Sequence, residues 1–341
     1  MHPSTRIQSI VDGADDGWGV FYRAREMKAA GQPVIMLSIG DHDIKTDVVI
    51  LDAMKAAMDA GNLGYAAVEG SAGLREAIAQ RIKSTRARGA TANQIAVTPG
   101  GQSALYSAMV ACLDPGESCV VLDPFYATYS QTVRAASARA IHVPCRAEDG
   151  FQPDPAAIEA ALAPDTKAIL INTPNNPSGA VYTRARMEGL AELCLRRGLW
   201  LISDEVYDTQ VWDGPFISAW DLQEIAEQCL LVGSMSKSHG MTGSRIGWVA
   251  APGPVQARIS DLLIATNYGI PGFIQDGAEF ALRHGAAAEA GIVARYRDRR
   301  AAGLEALGNG PGFRVVPPQG GMYLMLDIRE TGLSGEDFAN L

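Results

Sequence analysis

What the sequence lacks narrows its function before any motif is read. No run approaches the roughly 18 consecutive apolar residues that would suggest a membrane span, and the opening stretch, MHPSTRIQSIVDGADDGW, has no apolar core long enough for a secretory leader. Cysteine is scarce: five in 341 residues (Cys112, Cys119, Cys145, Cys194 and Cys229), none in CxxC spacing. Neither a metal cluster nor a disulfide framework is expected from them, and most read as small core residues. Basic patches are missing too. The 29 Lys and Arg are scattered among 38 Asp and Glu for a net charge of −9, whereas a nucleic-acid binder concentrates its bases. Repeats, low-complexity tracts and Ser/Gly linkers are absent. What remains is 47% hydrophobic and 20% charged, the balance of a folded protein with a sizeable core, and longer than one ordinary domain requires. A cytoplasmic enzyme of metabolite chemistry fits these bounds, with no nucleic acid and no membrane as partner.

Short apolar runs recur through the middle of the chain: Ile95–Val97, Cys119–Leu122, Ala140–Val143, Ala168–Ile171, Leu199–Ser203, Leu230–Val232 and Ile246–Ala250. Several are apolar on successive residues, as in strands covered on both faces. Helical stretches alternate with them at Gly101–Leu113, Tyr126–Ala136, Asp154–Leu162 and Thr183–Arg197, the last two with N-cap signals at Pro153–Asp154 and Thr183. The pattern predicts a three-layer α/β domain over residues 45–284 with a mostly parallel, seven-stranded sheet. The flanks, 1–44 and 285–341, read as a smaller α+β domain built from both termini. It would comprise one early helix, a strand Val34–Ile39, a charged helix Glu289–Leu307, and strands Phe313–Val316 and Met322–Asp327 joined by the turn Pro317–Gly321.

In open α/β sheets ligands bind beyond the carboxyl ends of the strands, so the polar residues that follow each strand carry the functional signal. After Ile95–Val97 come Thr98-Pro99-Gly100-Gly101-Gln102 and a helix, a turn whose backbone N–H groups can face an anion. After Ala168–Ile171 comes Asn172–Gly179, a dense Pro/Asn/Gly turn that offers Asn176 at the mouth of the sheet. Leu199–Ser203 leads into Asp204-Glu205-Val206-Tyr207. A strand-end acid also suits an ATPase, but no GxxxxGKS or GxxxxGKT loop occurs. Leu230–Val232 leads into Gly233-Ser234-Met235-Ser236-Lys237, with Arg245 eight residues on. Ser234 to Lys237 spells the SxxK of penicillin-binding enzymes, but their SDN and KTG partners are matched only by Ser203-Asp204-Glu205 and Met241-Thr242-Gly243. Taken singly each feature has a bland reading as turn or surface. Together, an anion cradle, a strand-end amine and a strand-end carboxylate are what pyridoxal 5'-phosphate needs.

In this order the motifs resemble the class I/II aminotransferases of PLP fold type I over nearly the whole chain. The matching stretches are Ser38–Asp41, Gly64-Tyr65, Gly73–Glu76, Thr98–Gln102, Asp123–Tyr126, Asn172–Gly179, Ser203–Tyr207 and Ser234–Arg245. The resemblance implies that Lys237 holds the cofactor as a Schiff base and later moves the α-proton. It implies that Asp204 pairs with the pyridine nitrogen, that Asn176 and Tyr207 bond the ring oxygen, and that Tyr126 stacks on the ring. Gly101, Gln102, Ser234, Ser236 and Arg245 are expected around the phosphate, and Gly40 near the substrate carboxylate. By the same resemblance Tyr65 reaches the phosphate of a neighbouring subunit, which implies a homodimer with shared sites acting on amino-acid and 2-oxo-acid substrates.

The family pattern continues for several dozen residues past Leu341 and there supplies an arginine for the substrate carboxylate, so the expectation is a chain that lacks it. Tyr323 and Leu324 are then expected as apolar surface short of packing partners, and Trp18, Phe21, Tyr22 and Tyr268 as possible lining of a side-chain pocket. Two alternatives share the cofactor residues: a carbon–sulfur lyase or related fold-type-I enzyme, and a catalytically silent PLP-binding protein. Lyase relatives often carry a histidine three residues after the strand-end acid, where this chain has Tyr207, which favours transamination.

Overall fold

The structure is a computed structural model that describes residues 1–11 and 18–341. Two helices, α1 (Thr5–Gln8) and α2 (Gly19–Ala29), precede an extended segment, then α3 (Val48–Asp59) and α4 (Ala72–Thr85). Strands and helices then alternate: β1 (Ile95–Pro99), α5 (Gly101–Cys112), β2 (Ser118–Asp123), α6 (Tyr129–Ala135), β3 (Arg139–Pro144), α7 (Pro155–Ala161), β4 (Thr166–Asn172), α8 (Arg184–Arg197) and β5 (Trp200–Asp204). After β6 (Cys229–Ser234), the one-turn helix α9 (Met235–Ser238) and β7 (Ile246–Ala250) come α10 (Gly253–Thr266), α11 (Gly272–His284) and α12 (Ala286–Leu307). A three-stranded sheet of β8 (Asn309–Gly310), β9 (Phe313–Val316) and β10 (Met325–Asp327), with helix α13 (Gly335–Ala339), completes the chain.

All seven expected central strands form one sheet, in the order β1-β7-β6-β5-β4-β2-β3. Only β7 runs antiparallel to its neighbours. Successive side chains of each strand enter two different cores. Cys119, Val121, Ala168, Leu170, Ile202, Leu230, Val232 and Val249 pack with α5, α6 and α10. Val120, Leu122, Ile169, Ile171, Leu201, Leu231 and Trp248 pack on the opposite side with α3, α4, α7, α8 and α11. Burial on both faces is why these strands read as unbroken apolar runs. The five cysteines are buried and free, as core residues should be.

Three local expectations fail, each for a tertiary reason. Val34–Ile39 joins no strand of either sheet, and Ile35 and Leu37 are exposed. The segment is apolar enough to read as a strand, but it pairs with no described strand. Helix α6 begins at Tyr129 rather than Tyr126 because residues 124–128 form a turn that lays Phe125 and Tyr126 along a cavity. Strand β10 begins at Met325 rather than Met322, because Gly320 bridges to Val211 and the next residues turn toward that cavity.

Candidate functional site

The carboxyl ends of β1, β4, β5 and β6 open into one cavity of about 640 Å³. Eleven of the twelve residues expected at the site line it: Gly40, Gly101, Gln102, Tyr126, Asn176, Asp204, Tyr207, Ser234, Ser236, Lys237 and Arg245. They come from six separate stretches of chain, and the parallel register of the central strands brings most of them together. Asn172, the last residue of β4, lies directly beside Asp204, the last of β5. The twelfth, Tyr65, does not line this cavity. It stands 92% exposed with its ring edge-on to Tyr268 at 5.2 Å.

Asp204 is buried, and its carboxylate has two donors: the Tyr129 hydroxyl at 2.7 Å and the Val206 backbone N–H at 3.2 Å. Burial pushes its pKa up to about 6, and the Tyr129 and Val206 hydrogen bonds oppose that rise. A cationic group in the cavity would find an anion of high proton affinity already aimed at it. Around Asp204 the Asn172 side chain donates to the Asp204 carbonyl at 2.9 Å, while its amide oxygen accepts from Asn176 N at 2.7 Å. This bracing holds the two strand ends in register.

Lys237 sits on α9 immediately after β6, and its amine donates to the Gly40 carbonyl. Its pKa is lowered, chiefly by burial and in part by the Arg245 charge, while Asp41 opposes the shift. An amine in that setting spends more of its time neutral and nucleophilic. Near it, Ser234 Oγ lies 3.0 Å from Ser236 Oγ, and Ser236 N donates to Ser234 Oγ at 3.1 Å.

The opposite wall is the N-terminus of α5, whose first N–H groups lack partners within the helix. Gly100 holds the turn there at φ +82°, and a Cβ on it would meet Arg245 Nη2 at 2.3 Å. The Arg245 guanidinium is held by the carbonyls of Thr242 at 2.8 Å and Pro99 at 3.4 Å. Gln102 has its side chain tied away to Thr128 and Thr132, so its backbone N–H is what it offers the cavity. A helix terminus, an arginine and two serines make an anion site. Part-buried amine, buried carboxylate and anion cradle in one cavity fit the aldehyde, ring nitrogen and phosphate of pyridoxal phosphate.

Sequence reasoning missed three members of the site. Tyr129 follows Tyr126 by three residues, but nothing local marks its hydroxyl as the partner of Asp204. Asn172 was visible only as a turn former. Tyr323, expected as exposed apolar surface, instead turns into the cavity and places its hydroxyl 2.8 Å from that of Tyr207. Of the four aromatics offered as pocket lining, Trp18 does line the cavity. Phe21 and Tyr22 pack against Trp18 at 5.6 and 6.4 Å from outside the lining, and Tyr268 packs on Tyr65 instead.

The comparisons with known proteins agree with this geometry. The family model described as aminotransferase class I and II matches residues 32–340. The arginine–pyruvate transaminase AruH of Pseudomonas aeruginosa is 39% identical over 340 residues, covering 100% of this chain and 86% of that protein. An aspartate/prephenate aminotransferase of Thermus thermophilus is 32% identical over 327 residues, 95% of this chain and 84% of its own length. Among solved structures, the Thermus thermophilus aspartate aminotransferase with maleate superposes with a TM-score of 0.88 at 32% identity, over 96% of this chain and 85% of that one. Fold, cavity chemistry and whole-chain similarity converge, and the chain belongs to the class I and II aminotransferases, enzymes that use pyridoxal 5'-phosphate to move an amino group between an amino acid and a 2-oxo acid.

Proposed function

We propose that Lys237 is the residue that binds the cofactor covalently, that Asp204 holds its ring nitrogen protonated, and that the preferred amino donor carries a cationic side chain. The cofactor, when bound, supplies an electron sink for the bond broken at the substrate α-carbon. The chain's own residues do the rest. Asp204 keeps a proton on the ring nitrogen by offering a buried negative charge, supported by the Tyr129 hydroxyl at 2.7 Å. Tyr207 and Asn176, whose side chains lie 3.4 Å apart, offer donors to the ring oxygen. Ser234, Ser236, Arg245 and the N–H groups of Gly101 and Gln102 anchor the phosphate, and Tyr126 covers a ring face. Freed from the cofactor, the Lys237 amine carries the α-proton, a task its lowered proton affinity suits.

The donor preference is carried by charge accounting within the cavity. Among the described residues, its charged lining consists of Asp41, Asp204, Lys237 and Arg245. If the last three serve the cofactor, Asp41 is the charge left to meet a substrate side chain, and a carboxylate favours a cation there. Trp18 supplies an aromatic face on which a guanidinium can lie. Similarity to an arginine–pyruvate transaminase supports the same choice. We further propose a cytoplasmic homodimer in which Tyr65 serves the partner's site, and a division into a large domain (45–284) and a small one formed by the flanks.

A donor screen with pyruvate as acceptor tests the reading. Arginine or lysine should exceed aspartate in kcat/KM, and Asp41→Asn should narrow that gap at least tenfold. Equal use of aspartate in the unsubstituted enzyme would overturn the cationic donor. Borohydride reduction of the holoenzyme should fix the chromophore on the peptide containing Lys237, and label on any other peptide would remove Lys237 from its role.

A further inference from the structure

Tyr323 joins three parts of the chain that are far apart in sequence. Its hydroxyl lies 2.8 Å from the Tyr207 hydroxyl, and the two rings meet edge to face at 5.8 Å and 81°. The same hydroxyl stands over Gly40 so closely that a Cβ there would come within 2.0 Å of it. The Gly40 carbonyl in turn accepts from the Lys237 amine.

The segment that carries Tyr323 is stitched to the chain just beyond Tyr207. Trp212 Nε1 donates to the Gly321 carbonyl at 2.9 Å, Gly321 N donates to the Gln210 carbonyl at 2.8 Å, and Gly320 bridges Val211. Tyr323 is thus referenced to the strand-end loop that presents Tyr207.

Hydrogen-bond accounting sets the polarity of the pair. A phenol has one O–H to donate. The Tyr207 oxygen already faces the Asn176 amide donor at 3.4 Å. If Tyr207 spent its hydrogen on Tyr323, none would remain for the cofactor's ring oxygen. With Tyr323 as donor, the Tyr207 oxygen accepts and its own hydrogen points into the cavity. A hydroxyl that accepts one hydrogen bond is a stronger donor in the next.

We propose that Tyr323 is a positioning residue whose hydroxyl donates to Tyr207, orients the Tyr207 O–H toward the cofactor's ring oxygen, and so holds down the proton affinity of the imine at Lys237. The inference rests on the cofactor roles given to Lys237 and Tyr207 above.

The test is a pH titration of the visible chromophore in substrate-free holoenzyme, for the unsubstituted protein, Tyr323→Phe, Tyr207→Phe and the double variant. Tyr323→Phe should raise the chromophore's pKa by roughly 0.3–1 unit, at most the worth of one neutral hydrogen bond. Cofactor occupancy and thermal midpoint should be unchanged, which separates the effect from misfolding. Tyr207→Phe should raise the pKa further, and adding Tyr323→Phe to it should change nothing more. A Tyr323→Phe titration that overlays the unsubstituted enzyme overturns the proposal, as does an equal shift in the Tyr207→Phe background. An unmoved titration in Tyr207→Phe alone removes Tyr207 from the cofactor and the proposal with it, a result distinct from failure of Tyr323 alone.

Discussion

The hydroxyl of Tyr129 donates to the Asp204 carboxylate at 2.7 Å, from a helix that packs on one face of the sheet to the end of a strand in its middle. Both side chains are buried, so the bond is made where an unpaired carboxylate is most costly. Tyr129→Phe keeps the ring and removes the donor. Hydrogen bonds to charged groups contribute about 1.5–3 kcal/mol, so kcat should fall roughly ten- to hundredfold while the cofactor stays bound through its phosphate. Steady-state kinetics with cofactor occupancy measured in parallel would check this, and an unchanged kcat would mean that Asp204 needs no such support.

Asp204 should also cost the cofactor-free protein stability. Its folded pKa, about 6, lies above the unfolded value of 3.8. The unfolded state therefore binds fewer protons between those values, and stability is lost as pH rises from about 4 through 6. Asp204→Asn removes the titration. The cofactor-free variant should exceed the unsubstituted protein in unfolding free energy from denaturant melts at pH 7–8, by up to about 3 kcal/mol, with the gain fading below pH 4. Its transamination should drop by several powers of ten. Destabilisation of the variant at pH 8 would contradict the burial argument.

Glu205, next to Asp204, points the other way into a charge network behind the site. It accepts from the Ser218 hydroxyl, from Ala219 N at 3.0 Å and from Arg86 at 3.1 Å. Arg86 also reaches Asp208 at 2.7 Å, and Arg81 reaches Asp208 and Glu289. Burial pushes the Glu205 pKa up to about 7, against the pull of Arg86. Arg86→Met strands Glu205 without a cation and should cost about 3–5 kcal/mol. Because the raised pKa makes the ionised form the costly one, the loss should grow as pH rises through 7. Adding Glu205→Gln should restore much of it; urea melts of the single and double variants at pH 6 and 8 give the comparison.

If Tyr65 serves the partner subunit, active sites can be complemented. Neither Tyr65→Phe nor Lys237→Ala should be fully active alone. A mixed dimer gathers both lesions in one site and leaves the other intact, so refolded mixtures should exceed the activity of either parent. Mixtures that merely average the parents would confine each site to one chain.

Much of this protein was determined locally and could be read in order along the chain. The seven central strands announce themselves because burial on both faces demands unbroken apolar runs, as in Cys119–Leu122 and Ala168–Ile171. Lys237, Asp204 and Asn176 were legible because a strand end in a parallel sheet is where ligands bind, so sequence position alone implies their placement. The tertiary structure decided what depends on partners distant in sequence. Val34–Ile39 is an apolar run that reads as a strand, but a strand forms only by bonding a neighbour, and this segment pairs with none among the described residues. Tyr129 reaches Asp204 across 75 residues and Tyr323 reaches Tyr207 across 116. No short-range pattern encodes either contact. A phenol near an apolar run looks the same whether it faces the core, the solvent or a catalytic group, and only packing settles which of these receives its single hydrogen.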